Sequence, residues 1–141
     1  MLVRLMYASR ATAEMDQDAL TGILQQARAT NPTQGITGAL CFAHGTFVQT
    51  LEGGRDAVNK LYHRIAADPR HQQVVLLNYA EIAERHFAGW AMGMVNLTRL
   101  NPGLLLKYSE TATLNPYAVS GAAMAALFDE MVATAAMMGQ A

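Results

Sequence analysis

Few side chains in this sequence are placed where chemistry must be asked of them. The clearest is Gln49, in the stretch GTFVQTLEG, where a strand over 46–51 puts Phe47, Gln49 and Leu51 on one face by the period of two. A buried carboxamide left unpaired costs about 1–3 kcal/mol, so Gln49 either lies on an edge or meets something polar inside. Tyr7 raises the same question, since its phenol shares a strand face with Val3 and Leu5. Asn31 ends a helix, and Trp90 and Met92 share one face of a late strand. A phenol and carboxamides in an apolar setting suit hydrogen bonding to a flat ligand, with Ile23 and Ile65 as natural walls of a slot between helices. They equally suit a structural pair, Tyr7 bonded to Gln49 within an ordinary core.

Other chemistries lack their residues. His44, His63, His71 and His86 are scattered, with no HExxH or CxxC pattern, and read as solvated surface histidines rather than metal ligands. There is no GxSxG, no Walker loop and no GxGxxG fingerprint. Gly53-Gly54 reads as a turn, Cys41 as a small core residue, and Met124, Met131, Met137 and Met138 as packing groups.

The chain has 141 residues, enough for one core, with 52% hydrophobic and only 15% charged residues. So little charge suggests that part of the surface is covered by another chain. A net charge of −1 gives no electrostatic footprint for nucleic acid. A single cysteine fits a reducing compartment. MLVRLMYAS is a short alternating segment rather than a signal peptide, and no apolar run reaches the roughly 20 residues a bilayer requires. The expectation is a cytoplasmic protein without a membrane or nucleic-acid partner.

The elements that must position these side chains follow from the patterning. Strands are predicted over 2–9, 36–43, 46–51, 72–82 and 88–95, the second and third joined as a hairpin at His44-Gly45. Helices are predicted over 16–30, with Asp16 as N-cap, and over 55–67; Asn31-Pro32 and Asp68-Pro69 stop them. The order β-α-β-β-α-β-β is an α+β, ferredoxin-like sandwich: a five-stranded mixed sheet with two helices on one face. Its first and third strands are the central pair, which brings Tyr7 and Gln49 together. The fifth strand is expected beside the first. Asn101-Pro102 and Asn115-Pro116 each predict an N-capped C-terminal helix, the second carrying Met124, Leu127, Phe128, Met131, Ala135 and Met138 on one stripe. That stripe should cover the bare sheet face or meet a partner chain. A division follows: a sandwich over 1–97 and a helical extension over 98–141.

The sandwich resembles the BLUF family, blue-light sensors that use flavin. The resemblance rests on LMYAS with Tyr7, N-x-x-x-x-[IL]-T-G-A-L with Asn31, F-x-Q-x-L-E-G with Gln49, the Asp68–His71 cluster, and F-A-G-W-x-M with Trp90 and Met92, all in order. The tail is similar to that of short members without an effector domain. Thr30 stands where some relatives carry histidine. The resemblance implies noncovalent FAD, its ring sandwiched by Ile23 and Ile65 between the crossover helices. It implies that Asn31 bonds the ring's N3–H and C4=O, and that Gln49 reaches N5, O4 and Tyr7. Arg64, Asp68 and Arg70 match positions near the outer flavin edge and ribityl chain. It further implies that light draws an electron and then a proton from Tyr7, that Gln49 rotates or tautomerises, and that flavin absorption moves to the red. The signal then leaves through Trp90, Met92 and the C-terminal helices to a separate partner, with no substrate turned over. Self-association through the C-terminal helix and the apolar sheet face is also expected. The competing classes are a flavin-dependent enzyme and a ferredoxin-like interaction module without flavin.

Overall fold

The computed structural model describes residues 1–95, 100–134 and 137–138. The strands are β1 (Leu2–Ala11), β2 (Thr37–Ala43), β3 (Thr46–Gly54), β4 (His71–Ile82), β5 (Gly93–Val95) and the two-residue β6 (Met137–Met138). The helices are α1 (Gln17–Thr30), α2 (Arg55–Ala67), α3 (Pro102–Tyr108) and α4 (Gly121–Ala133). The sheet order is β4-β1-β3-β2-β5-β6. Neighbours run antiparallel except β2 and β5, which are parallel. The first four strands have the ferredoxin-like order, with α1 and α2 each joining strands that flank a third. His44 and Gly45, at φ 51° and 74°, make the tight hairpin turn between β2 and β3.

Around β1 and β3 both faces of the sheet are covered, so most residues of these two strands are buried, the polar Gln49, Thr50 and Glu52 included. On the front face Val3, Leu5, Tyr7, Phe47 and Leu51 pack with Leu20 and Leu24 of α1 and Val58 of α2. On the back face Met6, Ala8, Cys41 and Val48 pack with Phe87 and with Met124, Leu127, Phe128 and Met131 of α4. Each fully buried large apolar side chain contributes about 1.5–3 kcal/mol. The α4 stripe is therefore consumed within the chain, and its four described members are at most 1% exposed. Among the described residues the exposed large apolar side chains include Val75, Leu76 and Tyr79 on the outer strand β4.

Helix ends follow local chemistry. Asp16 caps α1 by accepting from Ala19 N at 2.8 Å, an interaction worth about 1 kcal/mol. Asp68 before Pro69 is extended, as expected of a pre-proline residue. Asn31 before Pro32 is not: it stays helical at φ −59°, ψ −43°, and the chain continues as a 3-10 turn over Asn31–Gln34. Asn31 N–H still bonds Ala27 O, and Asn31 O accepts from Ile36 N at 2.9 Å, which overrides the proline bias. The turn stops at Gly35, whose φ of 68° favours a residue without Cβ.

Four further expectations are corrected. β5 lies beside β2, not β1, because β1 already has β3 and β4 on its two sides. It begins at Gly93, so Trp90 and Met92 precede it, and the period of two does not hold them to one face. Met92 enters the front core while the half-buried Trp90 packs on the back one. Asn115 caps only a 3-10 turn, Pro116–Ala118; α4 starts at Gly121 with Ser120 Oγ accepting from Ala123 N at 3.1 Å. α4 ends at Ala133, so Met138 belongs to β6 rather than to the helical stripe. Ala135 and the boundary placed at 97/98 lie outside the described residues.

Candidate functional site

The site is built on the front face, between α1 and α2. In the β1–β3 ladder Tyr7 stands directly opposite Gln49. The β1–β4 pairing is irregular on either side of this position, between Met6 and Tyr7 and again between Ala8 and Arg10, and Gln73 takes φ 50° there. Such bulges re-aim side chains next to functional sites. The Tyr7 hydroxyl donates to Gln49 Oε1 at 2.5 Å, and Gln49 Nε2 donates to Met92 Sδ at 3.3 Å. A thioether can only accept, so the NH₂ end faces Met92 and the carbonyl end faces the phenol, which must donate. The question raised by a carboxamide on a core face has its answer in these two partners.

A cavity of about 400 Å³ opens beside this pair. Ile23 and Ala27 of α1 form one wall, Leu61 and Ile65 of α2 the other. Tyr7, Leu40, Phe47 and Gln49 form the floor, Asn31 and Gln34 one end, and Arg64, Asp68, Arg70 and His71 the remainder. Eight of the ten predicted site residues therefore line one slot: Tyr7, Ile23, Asn31, Gln49, Arg64, Ile65, Asp68 and Arg70. Met92 touches it through Gln49, whereas Trp90 is on the other side of the sheet. Asn31 is 4% exposed, and among the described residues its one side-chain bond is a long one, Nδ2 to Ala91 O at 3.4 Å. A buried carboxamide so lightly engaged at the end of an apolar slot is fitted to a polar-edged flat group such as a flavin ring.

The electrostatics are set by burial and one ion pair. Burial pushes the Tyr7 phenol far above its ordinary range, and the neighbouring Tyr62 and Asp68 add to the shift. Tyr7 is thus a neutral donor at any physiological pH. Asp68 is held down at about 2, chiefly by hydrogen bonds from the Arg70 side chain, whose terminal nitrogen lies 2.7 Å from Oδ2. His71 is a residue sequence reasoning misplaced on the surface. It is half-buried, its Nδ1 lies 2.7 Å from Ser9 Oγ, and its ring packs on Phe47 with centroids 4.9 Å apart. Burial lowers its pKa, with Asp68 opposing. Ser9 on the front face of β1 was the available signal, since a buried hydroxyl needs a partner. Arg28, also missed, donates from Nε to Met92 O at 3.0 Å and fixes the segment that carries the thioether.

Comparison with known proteins agrees with this geometry. The chain is 44% identical over 92 residues to photoactivated adenylate cyclase subunit beta of Euglena longa, covering 64% of this chain and 11% of that protein. It is 46% identical over 84 residues to the Euglena gracilis subunit beta, covering 60% of this chain and 10% of that one. The chain thus spans about a tenth of the length of these curated relatives. Its fold matches BlsA in the photo-activated state with TM-score 0.81 at 31% identity, covering 100% of this chain and 99% of that one. It matches the dark state of the BLUF protein BlrB with TM-score 0.76 at 30% identity, covering 95% and 96%. The family model for sensors of blue-light using FAD matches residues 2–93, most of the chain and all of the slot, and the chain belongs to that family, BLUF.

Proposed function

We propose that this chain senses blue light with FAD held noncovalently in the slot between α1 and α2, and that Tyr7 and Gln49 carry the photoresponse. The observation behind the reading is the Gln49 carboxamide, bonded to Tyr7 on one side and Met92 on the other, on the floor of the cavity. Asn31 would hold the polar edge of the ring, Ile23 and Ile65 its two faces, and Arg64, Asp68 and Arg70 the more exposed portion.

FAD held there would, once excited by blue light, supply a strong oxidant beside a buried phenol. Tyr7 would lend it one electron while its proton passes along the 2.5 Å bond toward Gln49 Oε1, and both would return to Tyr7 when the charges recombine. Gln49 then rotates or tautomerises, because its two ends carry opposite hydrogen-bonding character. The bond to Met92 Sδ changes with it, and Met92 passes the change to the segment packed on α4. No substrate is consumed. The output goes to a separate protein or a second copy of the chain. The lone Cys41 is buried and its thiol pushed up to about 12, which makes it an inert packing group. Among the described residues no helix is long and apolar enough to cross a membrane.

The test is direct. Purified protein should carry FAD rather than FMN on extraction and chromatography, and its bands should move reversibly to the red under blue light. Tyr7→Phe and Gln49→Leu should retain the flavin and lose the shift. A colourless protein that takes up no FAD, or a normal shift in either variant, would refute the proposal.

A further inference from the structure

The F-x-Q-x-L-E-G stretch also carries a buried charged residue that the photoresponse does not use. Glu52 follows Gln49 by three positions in β3, so it projects from the opposite, back face of the sheet. It is 0% exposed. Its carboxylate accepts from Phe87 N at 2.7 Å on Oε1, and from His86 N at 3.0 Å and Arg4 Nε at 2.8 Å on Oε2. Arg4 is its cross-strand neighbour on β1. Two consecutive backbone amides bound by one buried carboxylate fix the course of a chain that has no secondary structure of its own there.

That chain joins the site to the C-terminal helix. At its far end, Met92 Sδ takes the Gln49 amide, Met92 O takes Arg28 Nε, and Trp90 O takes Gly38 N at 3.0 Å. At its near end, the Phe87 ring meets Phe128 of α4 edge-on at 6.5 Å, and His86 Nδ1 lies 2.7 Å from Asp129 Oδ1. Glu52 grips the segment beside those two α4 contacts. Arg85 adds a bond from NH1 to Thr37 Oγ1 at 3.0 Å, tying the same segment to β2.

We propose that Glu52 is a positioning residue for the photoresponse: its clamp on His86 and Phe87 makes residues 86–92 a stiff connection that delivers the change at Gln49 and Met92 to α4. The inference rests on the photosensing role assigned to Gln49. Without the clamp, movement at Met92 is absorbed in a slack loop and α4 does not feel it. The clamp lies on the far side of the sheet from the flavin slot, so its loss spares flavin binding and the red shift.

The experiment uses the full flavin-loaded chain and compares Glu52→Gln with the unmodified protein. Gln keeps one acceptor but loses the second and the pairing with Arg4. Hydrogen exchange in darkness should rise about tenfold at the 86–87 amides in the variant, as a locally released segment requires. Under blue light the unmodified chain should change exchange in 121–133, and the variant should show the full red shift with that change lost. Arg4→Met/Glu52→Leu removes both buried charges together and gives the same readouts if Glu52→Gln alone folds poorly. An α4 response preserved in the variants overturns the clamp. So does loss of flavin or of the red shift along with it, which would make Glu52 a general fold residue. So does an unmodified chain whose α4 ignores light. Absence of any red shift in the unmodified chain would instead refute the photosensing role, while the dark exchange at 86–87 still decides whether Glu52 holds the segment.

Discussion

The Tyr7–Gln49 pair allows a quantitative test on the folded protein in darkness. Tyr7 is 2% exposed and donates to Gln49 Oε1 at 2.5 Å. In Gln49→Leu the phenolic hydroxyl keeps its burial and loses its acceptor, which costs about 1–3 kcal/mol. In Tyr7→Phe the carboxamide loses a donor but keeps its bond to Met92 Sδ, so the cost falls to about 0.5–1.5 kcal/mol, that of one net hydrogen bond. In the double variant a phenyl meets a leucine, no polar group is orphaned, and much of the loss is recovered. The coupling energy should therefore be about 1–3 kcal/mol. With a urea slope of about 2 kcal/mol/M, a 2 kcal/mol loss lowers the unfolding midpoint by about 1 M. Urea titrations of the four proteins followed by circular dichroism measure all the terms. If the double variant loses the sum of the single losses to within about 0.5 kcal/mol, the two groups do not depend on each other and the reasoning fails.

Two other predictions concern the frame around the site. A Cβ on Gly121 would stand 1.7 Å from Leu77 O, so Gly121→Ala should push α4 off β4, costing about 1–3 kcal/mol and lowering the thermal midpoint; an unchanged midpoint would show that α4 tolerates the shift. Asp68, held at about 2 against an ordinary 3.8, adds stability that is present above about pH 4 and is lost as pH falls toward 2. Because the Arg70 side chain is 49% exposed, water screens the pair and the gain is about 1 kcal/mol at most. Asp68→Asn should therefore lie below the unmodified protein at pH 6, with the gap narrowing below about pH 4 and closing only as pH falls through about 2 in urea titrations; a gap that does not change with pH would remove the ion pair from the account.

What was legible in the sequence was what local pattern determines. The β-α-β-β-α-β order, the His44-Gly45 turn and the Asp16 cap follow from alternation, helical period and turn chemistry. Once β1 and β3 are adjacent, the meeting of Tyr7 and Gln49 follows from parity alone. What failed was what tertiary contacts decide. Trp90 and Met92 were placed on one face because a strand was drawn through them, yet the chain there is irregular and turns between them. β5 went to the wrong neighbour because nothing in three residues marks which edge is open. Asn31 stayed helical against the proline bias because bonds to Ala27 and Ile36 outweigh it. His71 looked like surface because its partner Ser9 is 62 residues away in sequence.

In the proposed scheme Gln49 and Glu52 divide the work of a sensor between the two faces of β3. A rearranged carboxamide gains or loses hydrogen bonds worth about 0.5–1.5 kcal/mol each. Allosteric coupling of useful size needs about 1–3 kcal/mol at the receiving element. One side chain therefore has little to spare, and transmission works only where the connection does not give way. The sheet itself is a poor conductor, since shifting β3 would break its ladders to β1 and β2 together. The route around the edge, through Met92, Trp90 and Phe87, disturbs no ladder. Its backbone is held at Met92 by Arg28, at Trp90 by Gly38, and at His86 and Phe87 by Glu52. A buried charge is a costly way to hold two amides, and it is matched to a site where a slack connection would lose most of a signal this small.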